Sequence, residues 1–260
     1  MMLDTVQYLL GLLSGSLVGF TLGLVGGGGS ILAVPLMVYL VGVSNPHVAI
    51  GTSAFAVAAN AATGLVNHAR AGTVKWRCGL MYAGAGVIGA FAGSTAGKAF
   101  DGQKLLFLFA IVMIVVGILM VRRRKHQGNA DAECTSSNAG KVLGAGLGTG
   151  SFSGFFGIGG GFLIVPGLIA STGMPMINAV GTSLVAVTAF GLTTAANYAL
   201  SGLVNWTLAA VFIIGGVIGS VAGTRAAKRM SGSGQLTRVF AVLIFVVAAY
   251  MLWKSAGAFS

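Results

Sequence analysis

The stretch LGLVGGGGSILAVPL, residues 22–36, sets four consecutive glycines, Gly26 to Gly29, in a run that otherwise has the pattern of an apolar helix. Glycine costs a helix interior about 1 kcal/mol relative to alanine, and proline about 3. The cluster and Pro35 therefore mark a break. What surrounds the break is too apolar for a water-facing loop. The chain has 260 residues, of which 56 % are hydrophobic and 7 % charged, against about 25 % charged in soluble domains. Apolar runs of 18 or more residues recur, and each reads as a span of a lipid bilayer. The class is an all-α polytopic membrane protein.

The formal net charge of +11 does not point to nucleic acid. The Lys and Arg residues form short clusters between apolar runs, and no basic face with interleaved aromatics exists. Cys78 and Cys134 lack metal or redox spacing and read as incidental. No metal site and no cofactor are expected. A phosphate-loop or dinucleotide reading of the glycines fails, because no Lys-Ser/Thr follows them and no βαβ context surrounds them. The start, MMLDTVQYLL, lacks a positive n-region and carries Asp4, so the first apolar run reads as part of the mature protein.

The chain repeats itself. GTSAFAVAANAATGLVNHARAGTVKW from Gly51 aligns at an offset of 130 with GTSLVAVTAFGLTTAANYALSGLVNW from Gly181, and positions 51–99 hold 20 identities in 49. Upstream, an offset of 131 lays GLVGGGGSILAVP on GFFGIGGGFLIVP, so that Gly28, Gly29 and Pro35 fall on Gly159, Gly160 and Pro166. Residues 1–121 form a first transmembrane repeat and 142–260 a second, and the polar stretch 122–141 reads as a solvated linker. Five apolar segments are expected in each repeat: 5–25, 29–42, 47–69, 76–97 and 104–121, then 142–157, 160–172, 177–199, 206–224 and 236–253.

Charge selects the orientation. With an odd number of crossings per half and the N-terminus outside, one face holds Arg70, Lys75, Arg77, Arg122, Arg123, Arg124, Lys125, Lys141, Arg225, Lys228, Arg229 and Arg238. The other holds Lys98, Lys104 and Lys254, a split of 12 to 3. An even number gives 9 to 6. The positive-inside bias favours the first arrangement. The repeats are then inverted in the membrane, with both termini outside and the linker cytoplasmic. Inverted repeats are typical of secondary transporters.

Segment 29–42 is about 21 Å long as helix, short of a hydrocarbon core about 30 Å thick. Short Gly/Pro-interrupted segments at matched positions point to a transport site. The expectation is a hairpin in each half that turns near the midplane. Bare N–H groups of Gly28, Gly29, Gly159 and Gly160, with Ser30 beside them, would face an anion there. Close packing is the competing use of glycine, and it explains GVIGAFAG, 86–93, better. A second signal is a polar face on 47–69, where Ser53, Ala56, Asn60, Thr63 and Asn67 recur at three- and four-residue steps. Its counterpart is Ser183, Ala186, Phe190, Thr193 and Asn197. With Thr52 and Thr182 of the GTS motifs, these residues are candidates for binding substrate or for hydrogen bonding between helices. His68 is a candidate proton site, and its place beside Arg70 also fits a cytoplasmic interface.

The acids are Asp4, Asp101, Asp131 and Glu133, none inside an expected span. Cation and proton pathways favour intramembrane carboxylates, so the expected substrate is a small anion. With the interior negative, expelling one negative charge gains about 2.3 kcal/mol per 100 mV, which favours export. The alternatives are an anion channel, an intramembrane enzyme and an assembly subunit. An intramembrane Ser–His enzyme is disfavoured because Ser53 and His68 lie four turns apart on one helix.

At these residues the chain resembles the sulfite exporter TauE/SafE family. The resemblance rests on the duplicated GLVGGGGSILAVP and GFFGIGGGFLIVP, on AIGTSAFAV and AVGTSLVAV, and on the paired GTVKW and GLVNW. It implies a permease for sulfite, sulfoacetate or related small anions in the bacterial cytoplasmic membrane. Members of that family are described with seven or eight spans, fewer than the ten segments counted here. The resemblance names no binding residue and no oligomeric state.

Overall fold

Backbone groups inside a bilayer must bond within their own segment, and a chain this apolar is therefore driven to helix. The computed structural model describes residues 4–122, 129, 132, 134, 135, 137–157, 161–230 and 235–256. No strand occurs among the described residues. The first helix, α1 (Thr5–Val25), starts on a capping box: Thr5 N–H donates to Asp4 Oδ1 and Asp4 N–H to Gln7 Oε1.

At Gly26, φ +67°, the chain leaves the helix. It continues as 3₁₀ turns over Gly26–Leu32, a single α-turn, α2 (Ala33–Pro35), and π-helical turns over Leu36–Leu40. This arm folds back along α1. Thr21 Oγ1 lies 3.2 Å from Gly29 O, and Gln7 Nε2 donates to Val41 O at 3.0 Å. A plain short helix over 29–42 is thus corrected to a mixed winding. Four residues without Cβ permit the tight turns, and Pro35 offers no N–H to an α-ladder.

The first half continues with α3 (Pro46–Arg70), α4 (Trp76–Lys98) and α5 (Gly102–Arg122). The second half comprises α6 (Ala139–Phe156), α7 (Gly161–Thr172), α8 (Met176–Ala199), α9 (Trp206–Met230) and α10 (Gln235–Ala256). Gly157, φ +65°, closes α6 in the left-handed region. Five helical runs among the described residues are long and apolar enough to cross a membrane: Thr5–Leu40, Pro46–Arg70, Trp76–Lys98, Met176–Ala199 and Trp206–Ala227. Leu13, Leu80, Ile88, Ile218 and Trp253 stay exposed on the outside. An apolar exterior of this kind suits lipid rather than water.

Helices from different halves pair. α1 runs parallel to α9, with Gly15, Gly19 and Gly23 against Phe212, Gly216 and Ser220. α4 runs parallel to α6, with Gly86 and Ala90 against Gly150 and Gly154. A Cβ at Gly86, Gly89 or Gly93 would strike α6 or Phe190, so GVIGAFAG is a packing motif. α3 and α8 cross antiparallel, Gly64 facing Leu184 and Gly191 facing Ala54 and Ala58. Each is pinned by the hydroxyl of its GTS motif. Asn205 N–H donates to Thr52 Oγ1 and Lys75 N–H to Thr182 Oγ1, both at 2.9 Å.

The two ends of the bundle are distinct. Val41, His47, Phe100 and Ser201 gather at the end where α1 begins, here the amino end. At the opposite, linker end, Asn129 N–H donates to Gly173 O at 2.9 Å. There Cys78 and Cys134 are joined by a disulfide, with Cα atoms 5.3 Å apart. The reading of both cysteines as incidental is corrected. They are 56 residues apart in sequence, and only the folding of the linker over the first turn of α4 brings them together.

Candidate substrate path

The two glycine breaks meet inside the bundle. Gly27 and Gly161 touch backbone to backbone, and a Cβ on either would strike the other. Gly26 packs on Val180 and Ser183 of α8. Gly27 N–H donates to Ser183 Oγ at 3.0 Å, and the Ser183 hydroxyl donates to Val180 O at 2.8 Å. Ser30 Oγ donates to Gly27 O at 2.8 Å. All of these residues are buried. The orphan N–H expected at the break is thus met at Gly27 by a hydroxyl from the other half. Gly28 and Gly29 are buried in the same turn, Gly29 against Thr21 and Leu22. Gly159 and Gly160 lie outside the described residues.

The polar faces of α3 and α8 spread along the bundle rather than converging on one point. Thr52 and Thr182 hold loops at opposite ends. Ser53 Oγ donates to Ile50 O. Thr63 and Thr193 are half-buried and donate to their own helices, at Ala59 O and Ala189 O. The buried threonine is Thr194, whose hydroxyl has no partner. Steps of three and four residues admit either Thr193 or Thr194 between Phe190 and Asn197, so periodicity alone could not choose. Asn60 is fully buried against Gly216, with neither amide atom bonded. Its counterpart Phe190 lies against Gly86 and stacks on Tyr82, ring centroids 6.5 Å apart. Asn67 Nδ2 is buried without a partner. His68 is fully buried, its Nδ1 2.9 Å from Thr73 Oγ1 and its Nε2 3.2 Å from Gly23 O. It ties α3 to α1 rather than standing at a water interface.

Asn197 sits at the amino end in a polarised chain. Its Nδ2 donates to Ser94 Oγ at 2.7 Å and Thr95 Oγ1 at 2.9 Å, and both hydroxyls donate to Phe91 O. Its Oδ1 accepts from Lys98 Nζ at 2.8 Å. In the sequence Lys98 counts only as a loop cation of the sparsely charged face, and the offset of 130 that lays it on Lys228 is the one sign that the position is special.

An apolar helical bundle with five runs long enough to span a bilayer, and with the breaks of its two halves in contact, fits a polytopic helical membrane protein. Residues 11–251 match the model of the family "Sulfite exporter TauE/SafE". A "Probable membrane transporter protein" of Xylella fastidiosa is 52 % identical over 249 residues, covering 93 % of this chain and 94 % of that relative. "Probable membrane transporter protein YunE" of Bacillus subtilis is 26 % identical over 276 residues, covering 98 % of each chain. "Probable membrane transporter protein MJ0441" of Methanocaldococcus jannaschii is 29 % identical over 180 residues, covering 65 % of each. No solved structure matches. The chain belongs to the sulfite exporter TauE/SafE family, and the relatives it matches are named as membrane transporters.

Proposed function

We propose that the chain is a secondary transporter that exports small sulfur-containing or organic anions, such as sulfite or sulfoacetate, by alternating access between two inverted repeats. The observation that carries this reading is the meeting of Gly27 with Gly161 under the Ser183 hydroxyl. Two interrupted segments in corresponding positions of the halves are where a transporter binds its cargo. The polar groups described at that meeting are neutral: the Ser183 and Ser30 hydroxyls and the main chain of the break. Neutral donors suit an anion, and no acid lies in the membrane-spanning helices.

Inversion is supported by the parallel pairing of α1 with α9 and of α4 with α6, and by the reciprocal threonine bonds of Thr52 and Thr182. The Cys78–Cys134 bond sets the linker beside the loop carrying Arg70, Lys75 and Arg77. That grouping favours one basic, cytoplasmic face, with both termini outside and the inner membrane as the location. Substrate contacts fall to the backbone at Gly28, Gly29, Gly159 and Gly160 and to Ser30, Ser53, Asn60, Asn67, Ser183 and Asn197. Thr52 and Thr182 act by fixing loops, Thr63 and Thr193 line the helices' half-exposed sides, and His68 couples α3 to the tip of α1.

The test is flux in proteoliposomes with sulfite, sulfate, sulfoacetate and acetate. Sulfite or sulfoacetate flux accelerated by counter-substrate is the expected result. Flux indifferent to counter-substrate would make the chain a channel, and movement of none of the four would sink the anion reading. Asn67→Ala and Asn197→Ala should each lower sulfite flux while membrane insertion is retained.

A further inference from the structure

Among the described residues, the cation at the end of α4 has no counter-ion. Lys98 is half-buried, and its ammonium donates to Asn197 O at 3.0 Å, Asn197 Oδ1 at 2.8 Å and Ser201 Oγ at 2.9 Å. All three acceptors are neutral. No acidic side chain bonds Lys98 among the described residues. Asp101, three positions on, accepts the N–H groups of Gln103 and Lys104 at the start of α5. Asp4 caps α1. A partly buried ammonium held by dipoles alone gains more from an anion than from the neutral groups around it.

Beside it lies an unused donor. Tyr198 is fully buried, and its hydroxyl has no hydrogen-bond partner. Lys98 Nζ stands 5.9 Å from the centre of the Tyr198 ring. On another side the His47 ring packs at 6.2 Å, fixed by a 3.0 Å bond from Nε2 to Phe100 O. Buried hydroxyls are ordinarily bonded, so an orphan on a ring that packs under an unneutralised cation needs a reason. The repeat position offers a contrast. There His68 has both ring nitrogens engaged and offers no spare donor to match the Tyr198 hydroxyl.

We propose that Lys98, Asn197 and Tyr198 form an anion station at the amino end of the bundle, which takes one small oxyanion between the ammonium and the tyrosine hydroxyl as it passes the mouth of the path. The station rests on the anion-transport reading above. The Tyr198 hydroxyl is buried, and Lys98 exchanges Ser201 or the Asn197 carbonyl for an anion oxygen when α4 and α8 part.

The test uses the full chain, purified and reconstituted, with sodium sulfite as the probe. Tyr198→Phe removes only an oxygen that bonds to nothing. A purely structural Tyr198 predicts an unchanged or higher Tm and an unchanged KM for sulfite. The station predicts an unchanged or higher Tm with a KM raised about tenfold, the loss of one hydrogen bond to a charged group. Lys98→Met should raise KM further, about a hundredfold, and abolish any rise in Tm produced by sulfite over chloride. An unchanged KM in Tyr198→Phe overturns the station, whatever Lys98→Met does. A wild-type chain that moves none of sulfite, sulfate, sulfoacetate or acetate overturns the transport reading, and the station with it.

Discussion

The two halves share a motif and use it differently. In the first, Asn60 presses an unbonded amide against Gly216, and His68 is bonded at both nitrogens. In the second, Phe190 fills the place of Asn60 against Gly86, and Tyr198 leaves its hydroxyl unbonded. The repeated frame is thus carried by the glycine contacts and the threonine latches. The unbonded polar groups also differ in kind: the amides of Asn60 and Asn67 in α3, the hydroxyls of Thr194 and Tyr198 in α8. The repeated frame therefore carries different polar groups in its two copies. Each residue pair related by the repeat is a ready-made control for its partner.

The largest effect is expected where the halves touch. Gly161→Ala puts a methyl against the Gly27 backbone, which has no side chain to move aside. A loss of about 3 kcal/mol and abolished flux should follow, read by thermal melts and proteoliposome transport. Gly84→Ala meets nothing within 4 Å and should be neutral or slightly stabilising. Equal behaviour of the two variants would break the claim that the halves meet at the breaks.

Next comes the disulfide. In oxidised protein, Cys78→Ser should cost about 2–4 kcal/mol. If the linker face is cytoplasmic, the pair should be reduced in growing cells and bond only after oxidation, as maleimide labelling of acid-quenched cells would reveal. Complete oxidation in the cell would put that face outside and reverse the orientation drawn from charge.

Asn60→Leu should act in the opposite sense. Replacing an unbonded buried amide with an apolar side chain of similar size should stabilise the chain by about 1–3 kcal/mol and lower sulfite flux at least tenfold. Stabilisation with full flux would make Asn60 a packing residue like Phe190. The smallest effects are expected from Thr52→Val and Thr182→Val, about 1 kcal/mol each for one hydrogen bond. Clearly unequal losses in Tm would show that the two latches are not equivalent.

Much of the helical frame was legible in advance. Segments 47–69, 177–199 and 236–253 appear as Pro46–Arg70, Met176–Ala199 and Gln235–Ala256. Runs of apolar residues bounded by Gly, Pro and charge leave the backbone little choice. The break at Gly26–Gly29 was legible for the same local reason, whereas its 3₁₀ and π winding was not, since that depends on what α1 and α8 allow beside it. Thr194 was missed because one residue of helix rotation cannot be resolved from spacing. Lys98 was missed because the acceptors that hold it, Asn197 and Ser201, lie 99 and 103 positions away.

By itself the sequence determined a bilayer-embedded helical chain written twice, with a break in each copy and its positive charge gathered in a few loops. Composition, period and local backbone chemistry act within a few residues of one another, so they can be read along a line. Only the tertiary structure decided that Gly27 meets Gly161, that Cys78 finds Cys134, and that the Tyr198 ring lies near Lys98 while its hydroxyl bonds to nothing. Those outcomes depend on how distant helices pack, where a missing Cβ or one orphaned oxygen matters only in relation to its neighbour in space.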